Sequence, residues 1–162
     1  MNRTTLLLLA QSDFGGRPAI AERVIANFNS TIKNRYHEEG TNFFHLLRES
    51  KFHICPSGLG LDSYRNYETI ALGTIPIMER YYRHDGWYRT YEKLPALFVD
   101  HFDNVTPASL EEQYPRIVLR AREYEFERLT QQWWIDLINR YRFDPPPQVE
   151  DVEYQVPPSR KR

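Results

Sequence analysis

The stretch Lys51–Met78, KFHICPSGLGLDSYRNYETIALGTIPIM, constrains the fold more than any other part of the chain. It opens on Phe52–Cys55, an apolar run too short for a helix and suited to a strand. The loop Pro56–Asp62 carries Gly58 and Gly60. A helical pattern follows from about Ser63 to Leu72, with Tyr64, Tyr67 and Ala71 spaced to pack on a sheet. Gly73 stands where helices commonly end on a left-handed residue. Ile75–Met78 is a second apolar strand. Strand, turn, helix and strand in that order predict a βαβ unit, whose two strands run parallel.

The flanks repeat the alternation. Leu6–Ala10 is short and continuously apolar, as in a strand covered on both faces. QSDFGGRP is a turn, and Pro18 suits the first turn of a helix carrying Ile20, Val24, Ile25 and Phe28. Asn29-Ser30 should stop that helix. Thr31–Tyr36 reads as a second strand, and Thr41 as the cap of a helix with Phe43, Phe44, Leu46 and Leu47. ERYYRHDGWYRTYEK reads as a loop with one helical turn, and Ala96–Val99 as a further strand. Pro107 opens helical territory to about Tyr141, interrupted or restarted at Pro115. The fold class expected is α/β, a Rossmann-like parallel sheet with helices on both faces. One domain should span 1–143, and the Pro-rich segment 144–162 should be an extended strap or disordered.

Composition removes several functions. Of 162 residues, 21 are basic and 22 acidic, so no net field draws the chain to nucleic acid or an anionic membrane. The single cysteine, Cys55, allows no internal disulfide and suggests no Cys-based zinc site. It ends an apolar strand and reads as a buried small hydrophobe. The five histidines lack metal-ligand spacing. The apolar run at the N-terminus is shorter than the roughly 7–15 residues of a secretory core or the roughly 20 of a membrane helix. A soluble, cytoplasmic protein is expected.

Parallel sheets bind ligands beyond the carboxyl ends of their strands, where the Pro56–Asp62 loop stands. Its glycines let backbone N–H groups turn toward an anion at a helix N-terminus. GLGLDS has Ser63 where a dinucleotide fingerprint wants a third glycine, and no Gly-Lys-Ser/Thr makes it a P-loop. A tight turn capped by Asp62 or Ser63 would use the same glycines. Arg65 and Glu68 sharpen the pattern. Arg65 has a donor fork that matches phosphate oxygens, and its charge opposes the helix dipole unless something compensates. Glu68 could accept both vicinal hydroxyls of a ribose. An intrahelical Arg65–Glu68 pair is the plainer alternative.

The same residues resemble the sugar-nucleotide half of exostosin-like glycosyltransferases (glycosyltransferase family forty-seven and relatives). The resemblance lies in Ser50-Lys51-Phe52, then Pro56, Gly58, Gly60 and Asp62, then Arg65 and Glu68, then Leu72-Gly73-Thr74-Ile75-Pro76. YEKLPALFVDHFDNVTPASLEE and QQWWIDLI are similar to later segments of that family. The resemblance implies a nucleotide-sugar site formed by Ser57, Gly58, Leu59, Gly60, Asp62, Arg65, Glu68 and Thr74. Glu68 would hold the ribose, and Arg65 with the loop would face the diphosphate. It further implies the C-terminal half of a GT-B enzyme, a UDP-linked donor, inverting transfer to a glycan or other hydroxyl acceptor, and no cofactor or essential metal. Relatives are often Golgi or ER lumenal.

One Rossmann-like domain fills this length, whereas a GT-B enzyme has two. The acceptor domain is expected elsewhere, including on a second chain. Asp62, His84 and Asp85 are the candidates for a catalytic or cleft-facing group, and Trp87 could stack on a sugar, although RHDGW also reads as an ordinary turn with a buried Trp. The alternative function is a non-catalytic nucleotide-sugar-binding module. Trp133-Trp134 reads as core packing, with a partner-binding face as the alternative.

Overall fold

Short apolar strands and amphipathic helices alternate as the sequence predicts. The structure, a computed structural model, describes residues 3–10, 16–28, 32–34, 40–58, 60–80 and 85–143. The chain divides into two compact units, Met1–Glu125 and Phe126–Arg162. The segment 144–162 lies outside the described residues.

The first unit holds β1 (Thr5–Leu9), α1 (Arg17–Ala26), β2 (Ile32–Asn34), α2 (Gly40–Glu49), β3 (Ser50–Ile54), α3 (Tyr64–Ala71), β4 (Ile75–Glu79), α4 (Asp85–Tyr91), β5 (Leu97–Val99) and α5 (Pro107–Leu119). The five strands form one sheet in the order β2-β1-β3-β4-β5, and every neighbouring pair is parallel. Leu7 stands opposite Ile32 on one side and Phe52 on the other, and Phe52 opposite Ile75.

Alternation along the strands sends two sets of side chains to two faces. Leu7, Leu9, Phe52, Ile54, Ile75 and Ile77 meet Val24 and Phe28 on the α1 side and Leu110 of α5. Leu8 meets Phe43, Leu46 and Leu47 of α2 on the opposite face. Helices therefore cover both faces, and each fully buried Leu, Ile or Phe contributes about 1.5–3 kcal/mol of transfer free energy.

Four elements differ from expectation. α1 ends at Ala26 and not at Asn29-Ser30. Asn27 ends it, and its Nδ2 donates to the carbonyls of Asp103 (3.0 Å) and Val105 (3.1 Å). α4 runs from Asp85 to Tyr91, longer than one turn, because buried Tyr91 and half-buried Trp87 pack against Phe98 of β5. α5 continues through Pro115 to Leu119. Leu110, Tyr114 and Ile117 hold that helix on the core, and this burial outweighs the roughly 3 kcal/mol a mid-helix proline costs. α3 buries Asn66, Thr69 and Ile70, while Tyr64 is 70% exposed and Ala71 is exposed. Polar residues can be buried there because Asn66 donates to the Tyr91 hydroxyl (3.2 Å) and Thr69 to the Arg65 carbonyl (2.7 Å).

In the second unit a 3-10 turn, Phe126–Leu129, precedes α6 (Gln131–Phe143). Thr130 Oγ1 accepts from the Trp133 N–H at 3.3 Å and so caps the helix. Trp133 and Trp134 meet edge to face, centroids 4.9 Å apart.

Candidate functional site

The chain runs from β1 to β2 at one side of the sheet and returns to β3 at the other side of β1. That reversal opens a crevice at the carboxyl ends of β1 and β3. The loop Cys55–Ser63 leaves β3 there, and α1 begins beside it with Gly16 and Arg17. Gly58 donates its N–H to the Gly60 carbonyl at 3.0 Å. A Cβ on Gly58 would stand 3.2 Å from Arg17 Nη2, so the glycine makes room for that guanidinium. The same Nη2 lies 3.5 Å from the Ser57 carbonyl.

Ser63 is the N-cap of α3, and its Oγ accepts from the Arg65 N–H at 3.3 Å. The Arg65 guanidinium lies 4.1 Å from the centroid of the Phe43 ring on α2, a cation–π seat. Phe43 is itself buried and edge-on to His53 at 5.7 Å. Arg65 Nη1 stands 3.7 Å from Glu68 Oε2, an ion pair but longer than a hydrogen bond. Glu68 Oε2 is sealed from solvent and has no hydrogen-bond partner. Its side chain lines a groove of about 430 Å³ between α2 and α3, with Phe44, His45, Arg48, Ala71 and Leu72.

Asp62 holds the loop to two helices. Its Oδ1 accepts from the Ser63 N–H (2.9 Å) and from the Tyr91 hydroxyl, and its Oδ2 from the Tyr67 hydroxyl (2.9 Å). Burial, with the Asp62 carboxylate adding to it, pushes Tyr91 well above the ordinary phenol range and Tyr67 up to about 12. Both phenols therefore stay protonated donors.

Thr74 is not brought to this cluster. It precedes β4, at the amino edge of the parallel sheet, whereas the glycine loop is at the carboxyl edge. Its Oγ1 donates to Leu47 O and accepts from Arg3 Nη1 at 2.9 Å. Ser57 and Gly60 lie on the loop, Leu59 and His84 lie outside the described residues, and Asp85 opens α4. Trp87 sits edge-on to Tyr91 (5.8 Å) and Phe98 (5.3 Å), an aromatic cluster under the sheet end.

Beneath the loop, His53 Nδ1 lies 3.0 Å from Thr69 Oγ1 and 3.2 Å from Cys55 Sγ. Burial lowers the His53 pKa to about 3 and raises the Cys55 thiol to about 12. The pair is neutral at physiological pH, and Cys55 is a packing residue rather than a thiolate nucleophile.

Three contributors escape the sequence reading: Arg17, Phe43 and Tyr91. Only Arg17 carries a sequence signal, its place at the start of the first helix after β1. The other two act through contacts between elements far apart in the chain.

A parallel sheet that reverses strand order beside a glycine loop defines a Rossmann-like α/β domain. The chain belongs to the RXYLT1 C-terminal domain family, which matches residues 8–113, and the family is exostosin-like and glycosyltransferase-related. The matched span runs from β1 into α5 and includes Arg17, the loop, Arg65 and Glu68. No curated protein matches the chain. Among the described residues, no helix is long and apolar enough to cross a membrane.

Proposed function

We propose that this domain binds the donor of an inverting glycosyltransferase, a nucleoside diphosphate sugar with UDP as the expected nucleotide. The observation that carries the reading is Glu68, whose Oε2 is a buried carboxylate oxygen without a hydrogen-bond partner and whose side chain lines a groove large enough for part of a nucleotide. An unmet buried acceptor costs about 1–3 kcal/mol unless a ligand donates to it, and ribose hydroxyls are such donors. Arg65 lies one turn nearer the loop and would face the diphosphate.

In this reading the acceptor hydroxyl attacks the anomeric carbon, the bond to the diphosphate oxygen breaks, and a base takes the hydroxyl proton. Arginine charge and the start of α3 would stabilise the leaving diphosphate, so the reading requires no metal. Asp62 is committed to three donors and serves better as the strut of the loop than as the base. The matched family is by its name a C-terminal domain, which supports an acceptor side and a base contributed from outside residues 8–113. The commitment of Asp62 also favours the second reading, a binding module that transfers nothing by itself.

Titration calorimetry with UDP and UDP-sugars tests the donor reading. Glu68→Ala should weaken UDP at least about tenfold, the loss of one or two charge-assisted hydrogen bonds, and leave inorganic pyrophosphate unaffected. Wild-type protein that binds no nucleoside diphosphate would sink the proposal. Sugar release in the presence of hydroxyl acceptors separates transferase from binding module.

A further inference from the structure

We propose that Arg17 is a second arginine of the anion site and grips a diphosphate together with Arg65, from opposite sides of the glycine loop. The inference rests on reading this loop as a diphosphate site.

Arg17 enters from the first turn of α1, which follows β1, whereas Arg65 enters from α3, which follows β3. β1 and β3 are neighbours, so α1 and α3 both begin beside the crevice at their carboxyl ends. Arg17 Nη2 reaches to 3.5 Å from the Ser57 carbonyl, and Gly58 leaves it the space a Cβ would take. Both arginines lie near enough to Cys55, at the end of β3, to act on its thiol electrostatically.

The backbone donors of the loop point to the same division of labour. Gly58 N–H goes to Gly60 O, Ser63 N–H to Asp62, and Arg65 N–H to Ser63 Oγ. Those three groups are occupied and cannot donate to an anion, which leaves a larger part to the side chains. A guanidinium presents a planar fork that suits one phosphate, and two of them on facing sides suit two linked phosphates. The ligand class is a nucleoside diphosphate or its sugar ester, in preference to a monophosphate.

The test uses the full chain as wild type, Arg17→Met and Arg17→Lys, titrated with UDP, UMP and inorganic pyrophosphate at two salt concentrations. Arg17→Met should weaken UDP and pyrophosphate about tenfold or more and UMP less than about threefold, with a shallower salt dependence. Arg17→Lys should recover part of the loss, which a purely structural role would not require. Equal losses for UDP and UMP, or unchanged UDP affinity, would overturn the proposal while leaving the donor reading intact. Arg17-dependent pyrophosphate binding with no nucleotide binding would overturn the donor reading and keep the anion site. A wild type that binds neither overturns both. Should Arg17→Met not fold, Gly58→Ala replaces it: its Cβ would crowd the guanidinium at 3.2 Å and push it by a few tenths of an ångström, so UDP should weaken more than UMP, and equal effects count against the proposal.

Discussion

Arg3 is the residue whose loss the structure predicts to be costliest relative to its plain appearance in the sequence. Its Nη1 lies 3.2 Å from Leu47 O, 3.0 Å from Arg48 O, 2.6 Å from Ser50 O and 2.9 Å from Thr74 Oγ1, and its Nη2 2.9 Å from Leu72 O. The carbonyls of Leu47, Arg48 and Leu72 close the ends of α2 and α3, where unpaired acceptors and the negative end of the dipole welcome a cation, and that of Ser50 opens β3. Gly73 accommodates the arrangement with φ 76°, and a Cβ there would stand 2.7 Å from Nη2. Two hydrogens on Nη1 and one used by Nη2 allow three charge-assisted bonds at a time, about 4.5–9 kcal/mol in total before desolvation. Water replaces the exposed contact at Arg48, and burying the charge works against the rest, as its lowered pKa records. The net loss on Arg3→Met should be about 2–3 kcal/mol. Urea denaturation should show a lower midpoint at unchanged slope, and the melting temperature should fall by about 5–10 °C. Arg3→Lys should regain less than half, because a point ammonium cannot span both helix ends. A loss below about 0.5 kcal/mol, or a lysine variant equal to wild type, would refute the bridging argument.

Two further outcomes follow from the buried polar groups. Tyr91→Phe removes a donor from Asp62 and the acceptor of Asn66 Nδ2; Asn66 is 1% exposed and its Oδ1 already lacks a partner, so about 2 kcal/mol should be lost in the same denaturation assay, and a neutral result would contradict it. His53 binds its proton at about pH 3 when folded and near pH 6.5 when unfolded, so the unfolded state holds more protons between those values and stability falls as pH drops through that window. The slope from this group approaches about 1.4 kcal/mol per pH unit below pH 6, and His53→Gln should flatten the stability profile between pH 5 and 6.5, before most carboxylates titrate.

The fold was legible because it depends on local signals. Phe52–Cys55, Gly73 and Ile75–Met78 each state a strand or a helix end within a few residues. The glycine loop and its position at a strand end were legible for the same reason. The buried face of α3 was not: Asn66 and Thr69 look like surface residues until Tyr91 and the Arg65 carbonyl supply their partners. Thr74 enters the expected site only through the family resemblance. It answers to Arg3 at the other end of the sheet, a contact separated by 71 positions that no local pattern encodes.

The structure also shifts which residue argues for a ligand. From sequence, Arg65 in the first turn of a helix opposes the dipole, and a bound anion would explain it. The folded chain supplies other compensation: the Phe43 ring at 4.1 Å and the Glu68 carboxylate at 3.7 Å. Arg65 therefore needs no anion to account for its place. Glu68 is different, because an ion pair at 3.7 Å leaves its Oε2 without a hydrogen bond in a spot sealed from water. A donor of hydrogen bonds, more than an anion, is what the resting domain lacks. The ribose side of the donor reading is thus the stronger half, and Glu68→Ala tests it more sharply than any substitution of Arg65, whose loss would also unseat Phe43 and Glu68.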